Sequence, residues 1–324
     1  MKKKICFIIN PISGTASKSR LPGLIKKMMP ADLFEVEIIK TEYAGHATEL
    51  TRKALDEGFD FIVAAGGDGT VNEVARTMVH STAALGIIPL GSGNGLARDL
   101  GISMDMKKAI ETIIAGNVIT IDYCKADDHT FFCTCGVGFD ANVSERFSGE
   151  KKRGPISYVK SAITEYLNFR PDVYKITLDD GTTIEEKAFL VTCANASQYG
   201  NNAYIAPNAN IRDGKMDVVM LAPLNPMDVG PITIQLFTRQ LGNSNRVSHF
   251  RSEKVTIKRT KPGPMHIDGE PIHSGKEIVI QTIPAGLHVL APQEGTGVQP
   301  LQRPIEDFQM FFREFFQRFE FLKS

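Results

Sequence analysis

Phe59-Asp-Phe-Ile-Val-Ala-Ala65, then Gly66-Gly-Asp-Gly-Thr70, then a helix-like pattern over Val71–Val79: this run decides how the chain folds. The apolar stretch is continuous rather than alternating, which predicts a strand buried on both faces of a sheet. Three glycines and an aspartate in five residues follow it directly. Glycines there let the backbone turn tightly and let phosphate oxygens approach N–H groups without a Cβ in the way. The helix that follows points unpaired N–H groups and the positive end of its dipole at the same place. The bland alternative is a plain strand-to-helix turn. Asp68 among anion-binding elements makes sense if it touches a metal ion or fixes the loop by hydrogen bonds.

The same alternation extends to either side. Lys4–Asn10, Glu35–Lys40 and Ala84–Leu90 read as further buried strands, with helices over Lys18–Met29 and Ala44–Glu57. Residues 1–125 are therefore expected to form an α/β domain, a doubly wound parallel sheet that binds a nucleotide beyond the carboxyl ends of its strands. After Asp122 short strands divided by Gly, Pro, Asn and Asp take over: Phe131–Cys135, Tyr174–Leu178, Lys187–Ala194, Met216–Leu221, Lys254–Ile257, Glu277–Thr282 and Leu287–Leu290. Only Ser157–Leu167 and Pro226–Leu241 look helical. Residues 126–291 are expected to be a β-rich, antiparallel, sandwich-like second domain. Residues 292–324 are expected to be a C-terminal return segment with an amphipathic helix.

Composition removes several function classes. The 324 residues are 42% hydrophobic and 23% charged, with 37 basic and 37 acidic side chains. Zero net charge argues against nucleic acid as a partner. No apolar run reaches membrane-spanning length. The start, Met1-Lys-Lys-Lys4, carries the charge of a signal peptide, but Ile5–Ile9 is too short for its apolar region. Five cysteines without paired spacing suit a reducing compartment and read as core thiols. A cytoplasmic location is expected.

Two more strand-end loops accompany the first. Asn10-Pro-Ile-Ser-Gly-Thr15 and Pro89-Leu-Gly-Ser-Gly-Asn-Gly95 each open a helix-like stretch. Three such loops fit one polyanionic ligand better than three coincidental turns. As a dinucleotide fingerprint the last is broken, because Leu96 stands where a third glycine belongs. The glycine–lysine signature of a P-loop does not occur.

Asn10-Pro-x-Ser-Gly14, Gly66-Gly-Asp-Gly-Thr-Val-Asn72, Pro89-x-Gly-Ser-Gly-Asn94 and Asp268-Gly-Glu-Pro271 occur in the order of the diacylglycerol kinase catalytic family, which the chain resembles up to about residue 292. Gly136–Ala141, Ala206–Ala209 and Asp213-Gly214 look like that family's second-domain landmarks. The resemblance implies an ATP- and Mg2+-dependent lipid kinase that phosphorylates a lipid hydroxyl, diacylglycerol first. By the same resemblance ATP is held by Asn10, Pro11, Ile12, Ser13, Gly14, Thr41, Gly66, Gly67, Asp68, Gly69, Thr70, Val71, Asn72 and Ser92. Ser92 replaces the family's usual threonine and keeps the hydroxyl. Glu270 is implied as the proton acceptor, with Asp268 as its supporting carboxylate or a metal contact, and Asp68 as a third acidic participant. Asp213, with the carbonyls of Asn210 and Lys215, resembles a structural magnesium site; a turn capped by Asp213 fits equally well.

Other readings stay open on the residues. Ser92-Gly-Asn-Gly-Leu-Ala97 looks closer to the sphingosine and ceramide kinase branch than to the usual bacterial pattern. NAD kinases share the first glycine motif, and a nucleotide-binding regulator without turnover is a further class. The lipid substrate would be met at a membrane surface, making the protein peripherally membrane-associated. Lys151-Lys-Arg153 and the group Arg251, Lys254, Lys258, Arg259, Lys261 could attract anionic headgroups. Ile305–Leu322 carries seven of the 19 phenylalanines, with Ile305, Phe308, Phe312, Phe315, Phe319 and Leu322 on one helical stripe. Such a helix suits an interface with the membrane, with its own domain, or with a second copy in a homodimer.

Overall fold

A computed structural model describes residues 2–12, 19–148, 166 and 168–293. The chain divides into two units. The first runs to Tyr123 and receives the chain again at Ile283; the second is Cys124–Thr282. One long strand carries the chain out of the second unit. Ser13, Gly14, Lys151–Arg153, most of the expected helix Ser157–Leu167 and the Phe-rich stretch lie outside the described residues.

In the first unit β1 (Lys3–Ile9), β2 (Phe34–Lys40), β3 (Phe61–Gly66) and β4 (Ala84–Pro89) pair in parallel in the order β2-β1-β3-β4. Every residue of β3 and β4 is buried, as an apolar strand covered on both faces must be. The helices are α1 (Leu21–Met28), α2 (His46–Asp56), α3 (Asp68–Met78), α4 (Gly95–Asp99) and α5 (Met106–Ala115). α1 packs with α5 and α2 with α3. Local chemistry sets their ends. Asp105 accepts from the N–H groups of Lys107 and Lys108 to start α5, and Gly116 ends it with a left-handed φ of 66°. Glu73 of α3 accepts from Gly45 and Ala47 N–H at 3.1 Å each, which fixes the start of α2. α3 begins at Asp68 rather than at Val71, so the glycine motif itself supplies the helix's first turn.

The remaining strands are β5 (Val118–Ala126), β6 (His129–Phe131), β7 (Thr134–Gly138), β8 (Asp172–Leu178), β9 (Thr183–Ala188), β10 (Leu190–Ala194), β11 (Met216–Leu221), β12 (Val247–Ser252), β13 (Lys254–Arg259), β14 (Gly263–Ile267), β15 (Glu270–Ser274) and β16 (Glu277–Leu290), with helices α6 (Phe139–Ser148) and α7 (Pro226–Phe237). The second unit holds an antiparallel sheet of order β12-β11-β10-β7-β14-β15. In its other sheet β9, β8, β13 and the first half of β16 follow one another, again antiparallel. Alternate side chains from both sheets, among them Val137, Ile176, Val191, Met220, Ile257, Ile267 and Ile280, meet in one buried core. That is the expected sandwich. Phe189, Leu190, Val219 and Leu221 form a second cluster, against which Phe139 of α6 and Ile232 and Leu236 of α7 pack.

Four expected strands are redrawn. Phe131–Cys135 breaks into β6 and β7 because a carboxylate grips the turn between them, as described below. Lys187–Ala194 breaks at Phe189 into strands of different sheets. Glu277–Thr282 and Leu287–Leu290 join as β16, whose second half belongs to the first unit, where Val289 pairs with Leu85 and Asp122 accepts from Ala285 N–H at 2.8 Å. All five cysteines are buried free thiols. Burial pushes the Cys6 thiol up to about 12 and, helped by Cys193, raises Cys135 well above its ordinary value. Such thiols are inert, as core thiols should be.

Candidate active site

In the first unit the carboxyl ends of β2, β1, β3 and β4 lie side by side, and side chains lace the loops that leave them. Thr41 N–H donates to the Ile9 carbonyl at 2.9 Å, which sets Thr41 beside Asn10. Asn10 is braced twice: its Oδ1 accepts from Ile12 N–H and its Nδ2 donates to Thr70 Oγ1, both at 2.9 Å. Asp68, in the first turn of α3, accepts from Asn94 N–H at 2.8 Å on one oxygen and from Gly95 N–H at 2.7 Å on the other. Asn94 closes its own loop, its Oδ1 accepting from Gly91 N–H and its Nδ2 donating to the Gly91 carbonyl.

Asp68 therefore fixes loop to loop, one of the two roles its position suggested. Charge-assisted bonds of this kind are about twice as strong as neutral ones. The glycines serve the same contact: a Cβ on Gly91 would sit 2.7 Å from Gly67 Cα, so the two loops pack backbone on backbone. Composition alone suggests open space for phosphate; the geometry adds that glycine is required where one loop meets the other. Arg98, which no motif singled out, donates to the Gly93 carbonyl at 2.9 Å and completes the frame.

This frame offers donors suited to phosphate. Asn72 is buried, and its Nδ2 has no hydrogen-bond partner. α3 starts without a side-chain cap, so its first-turn N–H groups are not taken up by one. Ser92 and Ile12 are exposed, Gly66, Thr70 and Val71 are buried, and Gly67 and Gly69 are half-buried. Neutral amide and hydroxyl donors around a helix N-terminus are the right chemistry for a polyphosphate. Among the described residues no group of three or more His, Cys, Asp and Glu side chains is arranged to hold a metal ion. Magnesium in phosphoryl-transfer sites typically rides on substrate phosphates with one or two carboxylates, so such a group is not required.

In the second unit Asp268 and Gly269 form a two-residue hairpin between β14 and β15, with φ of 49° and 83°. Two positive φ values in succession are the mark of the tight hairpin turn that Asp-Gly favours. The Asp268 carboxylate is turned inward on the neighbouring chain. It accepts from Phe132 N–H at 3.0 Å, Cys133 N–H at 2.8 Å and Thr134 N–H at 3.0 Å. This grip breaks the expected Phe131–Cys135 strand and anchors the hairpin on the 132–134 backbone. Glu270, first in β15, is exposed.

Asp140, half-noticed within the Gly136–Ala141 landmark, is the centre of a network that sequence reading left without a role. Its Oδ2 takes Thr192 Oγ1 at 2.7 Å, Tyr199 OH at 2.9 Å and His266 Nε2 at 3.1 Å, while Oδ1 accepts from Ala141 N–H. Of these, His266 lies two residues upstream of Asp268 on the same hairpin.

The Asn210–Lys215 stretch favours the capped turn over a cation site. Asp213 Oδ1 accepts from Lys215 N–H at 3.1 Å, and Oδ2 pairs with the Arg251 guanidinium. Asn210 uses its side chain on Arg212 N–H. With both oxygens engaged, one of them by a resident cation, these residues do not fit a magnesium ion unless Arg251 is displaced. We expect a chelator to leave the thermal midpoint of the ligand-free protein within ~1 °C, and a fall beyond ~3 °C in calorimetry would reveal a bound ion. Three members of the expected basic group are engaged: Arg251 is paired, Lys258 meets Glu277 at 3.0 Å, and Arg259 is buried, donating to the carbonyls of Gly263, Pro264, Ser274 and Gly275, while Lys254 and Lys261 are exposed.

Comparison with known proteins agrees with this geometry. Residues 4–126 match the diacylglycerol kinase catalytic domain, and residues 133–291 match the YegS C-terminal NAD kinase beta sandwich-like domain. A diacylglycerol kinase of Staphylococcus carnosus is 28% identical over 275 residues, 83% of this chain and 89% of its own. One from Mycobacterium tuberculosis is 27% identical over 306 residues, 90% of this chain and 96% of its own. The crystal structure of a diacylglycerol kinase from Bacillus anthracis shares the fold, with a TM-score of 0.69 at 23% identity over 90% of this chain and 97% of that one. Loops laced at the strand ends, a carboxylate-bearing hairpin in the sandwich and both domain matches in sequence thus converge, and the chain belongs to the diacylglycerol kinase catalytic family of lipid kinases.

Proposed function

We propose that the protein transfers the γ-phosphoryl group of ATP to the free hydroxyl of diacylglycerol, giving phosphatidic acid and ADP. The observation that carries this reading is the joined frame of Asn10, Gly66–Asn72 and Gly91–Gly95, with a buried, unpartnered amide at Asn72. Asn10, Pro11, Ile12, Ser13 and Gly14 on one side, Thr41 behind them, and Gly66–Asn72 with Ser92 on the other would cradle the nucleotide. Magnesium bound with the phosphates would neutralise charge on the transferring group.

The chain's own residues then have three tasks. The α3 N-terminus and Asn72 hold phosphate oxygens. Asp68 keeps the two glycine loops at fixed separation, so that the oxygens meet positioned donors. Glu270 takes the proton of the lipid hydroxyl as its oxygen bonds to the γ-phosphorus and the bond to the β-phosphate oxygen breaks. Asp268 fixes the hairpin that presents Glu270.

A second acceptor class is favoured by one feature. Gly95 gives its N–H to Asp68 at a position where the usual bacterial pattern has an acid. Ser92–Ala97 thereby stays closer to the sphingosine and ceramide branch. The deciding experiment offers radiolabelled ATP with magnesium to diacylglycerol, a sphingoid base, ceramide, phosphatidylglycerol and NAD in turn. Label in phosphatidic acid is expected. Label in a sphingoid or ceramide phosphate moves the assignment to that branch, label in NADP alone defeats the lipid reading, and no label at all favours a nucleotide-binding regulator.

A further inference from the structure

Helix α7 departs from what a surface helix should be. Its inner face is ordinary: Val229 and Thr233 are buried, and Ile232 and Leu236 pack on the cluster around Phe189. The opposite face should be charged. Instead Met227, Pro231 and Ile234 stand there at steps of four and three, with Met227 90% and Ile234 44% exposed. The helix has a single ionic side chain, Asp228, and its charge is spent: it caps the helix start through Asn225 N–H at 2.9 Å and pairs with Arg246 at 3.1 Å. Just past the helix, exposed Arg239 lies over the Tyr204 ring, 4.2 Å from its centroid, and donates to the Tyr204 hydroxyl.

We propose that the outward stripe of α7, Met227, Pro231 and Ile234, docks the second unit on an anionic lipid bilayer, with Arg239 meeting the headgroups. The choice of a bilayer rests on the lipid-kinase reading. Two features of the face favour it over a protein. Three side chains fall well short of the roughly 800 Å² per partner that a stable protein interface buries, whereas an interfacial helix needs only a shallow apolar edge. The charge also fits: with Asp228 neutralised by Arg246, Arg239 is an exposed cation just past the stripe, its stem held against the ring of buried Tyr204. A helix containing Gly230 and an internal Pro231 has weak intrinsic stability, so packing on the sandwich must hold it and set its outer face.

The test uses the full chain, with vesicles of phosphatidylcholine alone and of phosphatidylcholine mixed with phosphatidylglycerol, in a sedimentation assay. Wild type is expected to co-sediment with the mixed vesicles. Met227→Asp combined with Ile234→Asp is expected to weaken that binding roughly tenfold or more. Arg239→Gln should weaken it by about fivefold on the mixed vesicles and not on the neutral ones. The double variant should keep the wild-type thermal midpoint, because its altered side chains face outward; Arg239→Gln gives up its bond to the Tyr204 hydroxyl, so its loss of binding is read against its own binding to the neutral vesicles. The proposal is overturned if wild type stays in the supernatant, if the double variant sediments like wild type, or if light scattering shows a dimer that the double variant dissociates. Turnover of a water-soluble short-chain diacylglycerol separates the two readings: the double variant should match wild type there, and wild-type inactivity on every lipid would defeat the kinase reading whatever the vesicles show.

Discussion

Glu270→Gln is expected to lower turnover on the lipid acceptor by about 10² to 10⁴-fold, the usual worth of a positioned proton acceptor. Because phosphoryl transfer passes through a loose transition state in which the acceptor proton leaves late, the lower end of that range is the sounder expectation. KM for ATP should stay within about threefold, since the nucleotide frame lies in the other unit. The thermal midpoint should not move, because Glu270 is an exposed residue at the start of a strand. Steady-state kinetics with the acceptor identified by the labelling panel checks all three. A Gln variant retaining more than about a tenth of wild-type turnover would remove Glu270 from the chemistry.

Asp268→Asn gives the contrast that makes the first result interpretable. Its carboxylate holds the N–H groups of Phe132, Cys133 and Thr134, and an amide can accept only through one of its two atoms. That variant should lose stability and turnover together, whereas Glu270→Gln should lose turnover alone. Two residues apart in sequence, the acids are separated in role by the hairpin: its turn sends one side chain onto the neighbouring loop and leaves the next acid exposed.

This division also shows where the sequence was legible. The four parallel strands of the first unit could be read almost to the residue, because fully buried parallel strands are continuous apolar runs and their ends are punctuated by glycine; α5 and β5 were not legible in the same way. The second unit could be read in class but not in detail. Val247–Ser252, Gly263–Ile267 and Glu270–Ser274 are short, only partly buried and rich in Ser, His, Gly and Pro, so they look like loop, and side-chain contacts over more than a hundred residues decide where some strands end. Asp268 interrupting Phe131–Cys135 is one such contact. Arg251 facing Asp213 is illegible over a shorter span, since a motif that reads as a cation site does not reveal a guanidinium 38 residues away. Within the basic group, the sequence does not reveal that Arg259 is a buried brace.

Asp140→Ala is expected to be the most destabilising single change in the second unit. The carboxylate is the shared acceptor for Thr192, Tyr199 and His266, which come from β10, the loop after it and β14, so one side chain joins three segments of one sheet. Removing it strands His266 Nε2 where water does not reach, at 1% exposed, and leaves the Thr192 and Tyr199 hydroxyls only each other, at 2.8 Å. An unsatisfied buried donor costs on the order of 1–3 kcal/mol, and the two further lost bonds bring the total to about 2–4 kcal/mol. No neighbour can relax into the gap, because Gly136 already lies so close that a Cβ there would be 2.5 Å from the Asp140 carboxylate and 2.8 Å from His266 Nε2. Asp140→Asn keeps the shape and one acceptor oxygen, so it should lose less than half as much. Urea denaturation of the three proteins ranks them. Equal midpoints for wild type and Ala would mean that the three donors find other partners, and that the β7–β14 pairing beneath the Asp268 hairpin is held by backbone bonds alone.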